Sequence, residues 1–492
     1  MARTRRAFLT GLATVAAAAM PPAWQAGARS GPVWTPQPAA LRGGRWPRSL
    51  AERRALGLPE PSRYRRGTSS IGTPGATARP REPLLGPSLV DERRSRAVPR
   101  KPTLQARFPD LRRRFVFEYY PWYDTDPWFH WNDDDHAPPL DVTASSMPRL
   151  GAYDTYDVRV LEQHARWIAE AGVGAINLSW WGRGDYTDLA VPRVMDVMRD
   201  HDIKVTFHLE PYRDDRSRNY ADDLLFLLRE YGEKRRWDTF LLLDQGNGRV
   251  APVFKSFRTI VPSQVQDCLG RIFDVPDYTA DGDWRRQTDT AREETRRDFS
   301  RLFLLADSLA VDRIGAGGFD GLAVYDNFVT PPQWTRIAQD ASDVGLLASF
   351  NVNPGFDRYP DRHPPPPPEV DPCYGGPLGF EPGGTHPDWR DAQARIAAQD
   401  LALGRITESF AATTTLQAQD GSANVSRGFF LAYVNSFNEW HEGSQFEPAK
   451  DFAELTPDER RIGYHNPPDG HARLRRLRSL IDGLTSPASA QA

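Results

Sequence analysis

Lysine is scarce in this chain. Only five of its 62 Lys and Arg residues are Lys, so arginine fills nearly every cationic position. That bias runs from end to end and removes the main reason to read the arginine-rich N-terminus as a nucleic-acid arm. Cysteine is scarcer still: Cys268 and Cys373 each lack a neighbouring cysteine or histidine cluster, which argues against a thiolate metal centre. Whether the two pair is left open by the sequence. No apolar run reaches the ~20 residues that span a bilayer. No short-period repeat is present, which argues against a solenoid. No G-x-G-x-x-G follows the first strand-like run, which lowers the case for a dinucleotide enzyme. His441–Glu442 is followed by Gln445 where an H-E-x-x-H zinc hydrolase carries its second histidine. "GFDG" at 318–321 lacks the acidic spacing of a calcium loop. Neither a metal nor another cofactor is expected.

What is present is a foldable chain with an unusual start. Hydrophobic content of 39% and 14 Trp are ample for a packed core. The net charge of −3 conceals an asymmetry: residues 1–114 hold 22 Arg and one Lys against six acids, about +17, leaving about −20 for the rest. The opening "TRRAFLTGLATVAAAAM" sets Arg5–Arg6 before Phe8–Leu9 and a short alanine-rich run, with Ala26–Gly27–Ala28 as small residues for cleavage. This has the form of a twin-arginine export signal over residues 1–28, and predicts a protein acting in the periplasm or outside the cell without integral membrane contact. Residues 29–112 are rich in Pro, Arg, Gly and Ser without periodicity and read as a tether. A single folded domain is expected over 113–485, interrupted by a proline-rich stretch around Pro364–Pro368.

Within that domain, apolar runs alternate with helical patterns. "RRFVFEYY", "GAINLSWW", "KVTFHLEPY", "APVFKSF", "GLAVYDNF", "LLASFNVNP" and "FFLAYVNSF" predict strands. "DVRVLEQHARWIAEAG", "VPRVMDVMRDHD", "ADDLLFLLREYG", "RRDFSRLFLLADSLAV", "PPQWTRIAQDAS" and "WRDAQARIAAQDLALG" predict helices. Seven strands in such alternation, with an eighth expected within 371–411, define an α/β fold and favour a (β/α)8 TIM-type barrel. The strands finish in polar and aromatic residues, and a barrel gathers its strand ends onto one rim, where its active site is built. Parity in "KVTFHLE" sends Val205, Phe207 and Leu209 towards the helices, leaving His208 and Glu210 for the barrel mouth. The same reasoning groups Tyr433, Asn435, Phe437 and Glu439 on one face of their strand, and Ala323, Tyr325 and Asn327 on one face of theirs. Glu439, Glu210, His208 and Tyr325 are therefore expected to converge.

The densest chemistry lies in "SFNEWHEGSQFEP", residues 436–448, which holds three carboxylates directly after an apolar run. Glu439 and Glu442 are three apart, so one tight turn aims both at one pocket, as a proton donor and a base or nucleophile at a glycosidic bond require. Trp and Tyr faces stack on sugar rings while amides and acids take hydroxyls. The candidate contacts are Tyr120, Trp122, Trp131, Trp180, Trp181, His208, Glu210, Tyr325, Asn438 and Trp440. Glu118 reads as a barrel-interior ion pair instead of a catalytic group.

The ordered motifs "YYPWY", "HW", "LGAYDTYD", "LSWW", "HLEPY", "GFDG" with its following Tyr325, "NPGF" and "SFNEWHEG" resemble those of glycoside hydrolase family 99, over roughly residues 113–450. The family contains endo-α-mannosidases and endo-α-1,2-mannanases. The resemblance implies a (β/α)8 barrel that cleaves α-mannosidic bonds within a chain, with retention and without metal. It implies substrate assistance: Glu439 takes the proton of the sugar's own 2-hydroxyl, a 1,2-anhydro sugar forms, and Glu442 protonates the leaving group and later activates water. Glu210 and Tyr325 match groups that hold the reacting sugar. The substrate is then an α-mannan or a mannose-containing oligosaccharide, and a monomer is expected. Where the family pattern carries Tyr-Asp-Ser-Tyr after the fourth strand, this chain reads "FKSFRTIV", with Lys255 and Phe257. "WWGRGDYTD" replaces the vertebrate Trp-Trp-Pro-Pro-Gly form, so a preference for glucosylated mannose is not carried over. The alternatives are a carbohydrate-binding or polysaccharide-assembly protein on the same scaffold, and an endo-glycosidase for another glycan.

Overall fold

A computed structural model describes residues 103–133, 136–212, 216–234, 237–266, 269–275, 277–325, 329–355 and 389–485. The expected leader, most of the expected tether, Cys268, Cys373, Asn327 and the pentaproline stretch lie outside the described residues.

Eight parallel strands form the centre: β1 (Phe115–Tyr119), β2 (Ala175–Trp180), β3 (Lys204–Leu209), β4 (Val250–Ser256), β5 (Phe303–Ala306), β6 (Gly321–Ala323), β7 (Leu347–Ser349) and β8 (Ala432–Val434). They follow one another in the order β7-β6-β5-β4-β3-β2-β1-β8. The ring is completed between its ends, where Val352 bridges Val434 in parallel and the Ser349 hydroxyl donates to the Leu431 carbonyl at 2.6 Å. A helix follows each strand: α1 (Val158–Glu170), α2 (Tyr186–Asp200), α3 (Arg216–Leu227), α4 (Asp281–Thr295), α5 (Val311–Ala316), α6 (Pro331–Asp343), α7 (Ala392–Gln417) and α8 (Ala472–Thr485). The expected (β/α)8 barrel is the observed fold.

Local sequence explains where elements begin. Asp157, Asp185 and Asp391 cap α1, α2 and α7 by accepting the N–H two residues on. Thr330 and Gln333 form a capping box ahead of α6, with Pro331 at its first position. Helix α2 runs through Pro192, which leaves the carbonyl of Asp188 without its helical donor; the Tyr231 hydroxyl supplies a donor to that carbonyl at 3.1 Å. At Gly321 a Cβ would stand 2.2 Å from the Leu347 carbonyl oxygen, so β6 and β7 meet closely only because the residue is glycine.

Alternation within the strands divides the core in two. Phe115, Phe117, Ile176, Leu178, Val205, Phe207, Leu304 and Leu322 face the helices. Val116, Ala175, Ala251, Val253, Phe303, Leu305, Leu347, Leu431 and Tyr433 fill the barrel interior. The interior is apolar near the strand starts and polar towards their ends, where Glu118, Asn177, Ser179, His208 and Lys255 are all buried.

Three expectations are corrected. The segment 296–311 is not one helix: α4 ends at Thr295 and residues 303–306 form β5. A strand buried on both faces is an unbroken apolar run, which periodicity alone does not separate from a buried helix. The eighth strand was therefore already in that segment, and residues 392–411 of the region expected to hide it belong to helix α7. The folded part also starts before 113, because a one-turn helix (Leu104–Arg107) precedes the barrel and Phe108 and Leu111 pack into the core.

Candidate active site

The barrel floor is a compensated charge cluster. Lys255 Nζ on β4 lies 2.5 Å from Glu118 Oε1 on β1, both fully buried. The Asn177 amide donates to Glu118 Oε2 at 2.8 Å, and His208 Nδ1 lies 3.1 Å from the same oxygen. Burial alone drives the Glu118 carboxyl up, but the charges and hydrogen bonds of Lys255 and His208 outweigh it and hold it at about 2. The ammonium also stands over the rings of Tyr433 and Tyr325, 4.7 and 5.2 Å from their centroids. Glu118 is thus the interior ion pair its sequence position suggested. Phe257 packs edge-on against His208 and Tyr325.

Above the floor, Glu210 follows β3 and accepts from the Ser179 hydroxyl at 2.9 Å, with His208 Nδ1 at 3.8 Å. Tyr325 follows β6. Its backbone N–H donates to Asp307 at 2.9 Å, its carbonyl accepts from the Asn435 amide at 3.0 Å, and its hydroxyl donates to Glu442 Oε2 at 2.9 Å. Burial pushes the Asp307 carboxyl up, against the charge of Lys255 and the N–H of Tyr325.

The loop after β8 makes one turn of 3-10 helix, Trp440–Glu442, with Glu439 as its N-terminal cap residue and Gly443 ending it at φ 64°. Three residues per turn set Glu439 and Glu442 on one side. The Glu439 N–H donates to the Ser436 hydroxyl at 2.8 Å. His441 Nε2 donates to the His130 carbonyl at 2.7 Å, and its Nδ1 lies 3.4 Å from Glu439 Oε1. A carbonyl only accepts, so Nε2 carries a proton, and Nδ1 facing a carboxylate favours a second. Burial opposes charging this ring, yet the hydrogen bond and charge of Glu439, with Asp133 behind, raise its pKa. Arg473 at the start of α8 donates to the carbonyls of Gly443 and Gln445, each at 2.8 Å. Among the described residues, His130, Asp133 and His441 could share a metal ion, as could Asp451, Asp469 and His471. In the first trio His130 Nδ1 pairs with Asp133 at 3.0 Å, and both nitrogens of His441 have partners.

The expected residues separate into three sets. His208 lies beside Glu210 and Tyr325, and Tyr325 meets Glu442, which shares its turn with Glu439. Tyr120, Trp122 and Trp181 form an aromatic wall next to His130, with ring centroids of Trp122 at 4.6 Å from Tyr120, 4.8 Å from His130 and 6.5 Å from Trp181. Four others do not face a ligand. Trp180 points outward on β2 and donates to Asp188 on α2 at 2.7 Å. Trp131 is fully buried, stacks on Tyr123 and donates to the Tyr153 carbonyl at 2.7 Å. Trp440 donates to Glu447 at 2.9 Å. Asn438 exchanges two hydrogen bonds with the backbone of Tyr120, at 2.8 and 2.9 Å, which ties the loop to the end of β1. Phe437 also leaves the face assigned to it: the strand ends at Val434, and the ring packs among Phe117, Tyr119 and His164 outside the barrel. Ser179, Asp307, His130 and Glu447 belong to the site or its support and were missed as site residues. Asp307 follows β5 in the way that other polar residues follow their strands, a signal obscured by the helical reading of that segment.

The comparisons agree with this architecture. The glycosyl hydrolase family 99 model matches residues 115–240. A glycoprotein endo-alpha-1,2-mannosidase of Xenopus laevis is 24% identical over 369 residues, covering 67% of this chain and 69% of that protein. A glycoprotein endo-alpha-1,2-mannosidase-like protein of Danio rerio is 27% identical over 338 residues, 66% of this chain and 64% of that one. The GH99 endo-alpha-mannosidase structure from Bacteroides thetaiotaomicron superposes with a TM-score of 0.52 at 19% identity, covering 75% of this chain and 97% of its own, a likeness of fold. By these matches the chain resembles glycoside hydrolase family 99, and the likeness supports a glycoside hydrolase.

Proposed function

We propose that the protein is an exported, endo-acting, retaining α-mannoside hydrolase that cleaves α-1,2-mannosidic linkages with assistance from the substrate. The observation that carries this reading is the pairing of Glu439 and Glu442 on one 3-10 turn, with Tyr325 donating to Glu442 and His441 against Glu439. In the first step Glu439 takes the proton of the 2-hydroxyl, O2 bonds to the anomeric carbon, and the glycosidic bond breaks as Glu442 gives its proton to the departing oxygen. A 1,2-anhydro sugar results. In the second step Glu442 removes a proton from water, the water oxygen bonds to the anomeric carbon, and the C1–O2 bond opens while Glu439 returns its proton. Two inversions give net retention, and neither carboxylate bonds to the sugar, unlike the nucleophile of an ordinary retaining glycosidase. The contact of His441 with Glu439 supports that role, since a protonated ring beside the carboxylate favours its ionised form, the one needed to accept the first proton. Trp122 and Trp181 supply the stacking wall, and Glu210 with His208 the hydroxyl contacts.

Mass spectrometry of α-1,2-branched mannan treated with the whole chain tests the reaction, with Glu442→Gln alongside. Short oligosaccharides from the wild type alone support it, and their linkage identifies the glycan. Intact mannan in the presence of folded, mannan-retaining protein would favour the binding-protein reading instead. Export is tested separately: replacing Arg5 and Arg6 together by Lys should leave the protein in the cytoplasm if residues 1–28 act as a twin-arginine signal.

A further inference from the structure

The third carboxylate of the loop, Glu447, takes no part in the steps above, yet it is buried among polar partners. Its Oε2 accepts from the Tyr153 hydroxyl at 2.7 Å and from Trp440 Nε1 at 2.9 Å. His164 Nε2 on α1 stands 3.3 Å from Oε1, and the other nitrogen of that ring meets the Tyr119 hydroxyl at 3.0 Å. A carboxylate excluded from water is unfavourable unless polar partners compensate it, and Oε2 has two donors, so a group placed here acts through what it holds. Both donors to Oε2 lead to the reacting turn. Trp440 stands between Glu439 and Glu442. Tyr153, through its hydroxyl, also accepts from the amide of Asn438 at 3.4 Å, the residue just before Glu439. The Glu447 N–H closes the loop on the Phe437 carbonyl at 2.7 Å. One side chain therefore grips the turn from both flanks of Glu439 and, through His164, fastens it to α1.

We propose that Glu447 is a positioning residue that sets the orientation of the Glu439–Glu442 turn through Trp440 and Tyr153, with His164 as its anchor on α1. The proposal rests on the reading of Glu439 and Glu442 as the reacting pair. Glu447→Met removes the acceptor of both donors, whereas Glu447→Gln retains an acceptor for them. Misplacing reacting groups without removing them lowers turnover by ~10²-fold. Glu447→Met is expected to lower kcat on mannan by about that factor while KM changes less than about threefold, and Glu447→Gln to recover most of it. Trp440→Phe, which removes one donor and keeps the ring, should lower kcat by about tenfold. Hydrogen exchange supplies a readout free of activity: amides of 436–446 should lose protection in Glu447→Met while those of β1–β4 keep theirs. Wild-type kcat in Glu447→Met and Trp440→Phe would overturn the proposal, as would uniform loss of protection across the barrel. Should Glu447→Met fail to fold, Trp440→Phe and Tyr153→Phe put the same question. A wild type that cleaves nothing would refute the hydrolase reading, and the exchange pattern would still decide whether Glu447 orders the turn.

Discussion

Strands β1–β4 run five to seven residues, whereas β5–β8 run three or four. The polar residues divide accordingly. In the first half Glu118, Asn177, Ser179, His208 and Lys255 lie inside strands, where the pleat fixes their direction. In the second half Asp307, Tyr325, Asn435, Glu439 and Glu442 lie beyond the strand ends, aimed by hydrogen bonds between loops. The long strands build a charge-compensated floor. The short ones release the chain early and give the rim freedom to shape a reacting pair.

Substitutions can break that division. The largest expected effect is at the rim. Glu442→Gln should lower kcat/KM by ~10³-fold, the scale of a lost general acid–base group, and leave stability within about 1 kcal/mol. Kinetics beside urea unfolding checks both, and a large loss of stability would make the rim structural too. On the floor, Lys255→Met strands a buried carboxylate and should cost about 3–5 kcal/mol in unfolding free energy, with Lys255→Met/Glu118→Gln recovering most of it. If the double variant is no more stable than the single, the pair is not the unit described. At the junction of the two regions, Tyr325→Phe removes the hydroxyl that donates to Glu442 and should reduce kcat by about ten- to a hundredfold while costing about 1.5–3 kcal/mol of stability. Acid titration gives a gentler effect. Glu118 is held at about 2 in the fold, below an ordinary glutamate at 4.5, so its contribution is complete above pH 4.5 and is lost as pH falls towards 2. Glu118→Gln should remove that part of the acid-induced loss. The smallest effect is expected for Trp180→Phe, which forfeits the bond to Asp188 at ~1 kcal/mol of stability and leaves KM unchanged.

The same division decided what could be read from the sequence. "RRFVFEYY", "GAINLSWW" and "KVTFHLEPY" are long enough for alternation to show, and parity in the last correctly separated Phe207 from His208. Applied to "AINLSWW", it would have turned Trp180 outward with Ile176 and Leu178. Only Trp181 of the tryptophan doublet is then left for the site, because neighbouring residues on a strand point to opposite sides. In "RLFLLADSLAV" a strand of four residues is buried on both faces and leaves no period to detect. The reacting pair was legible because its partners are local: Glu439 and Glu442 share one turn. Two partners of Glu447 were not, since Tyr153 and His164 are 294 and 283 positions away and only the closed barrel brings them near.

Arg473, at the start of the final helix, donates to two carbonyls of the reacting loop, and Asn438 ties that loop to the end of the first strand. A ribosome adding ~5–20 residues per second needs tens of seconds to pass from Tyr120 to Arg473. The reacting loop is thus among the last parts of the molecule to take shape during synthesis. A chain released before Arg473 would carry both glutamates without the clamp that holds their loop.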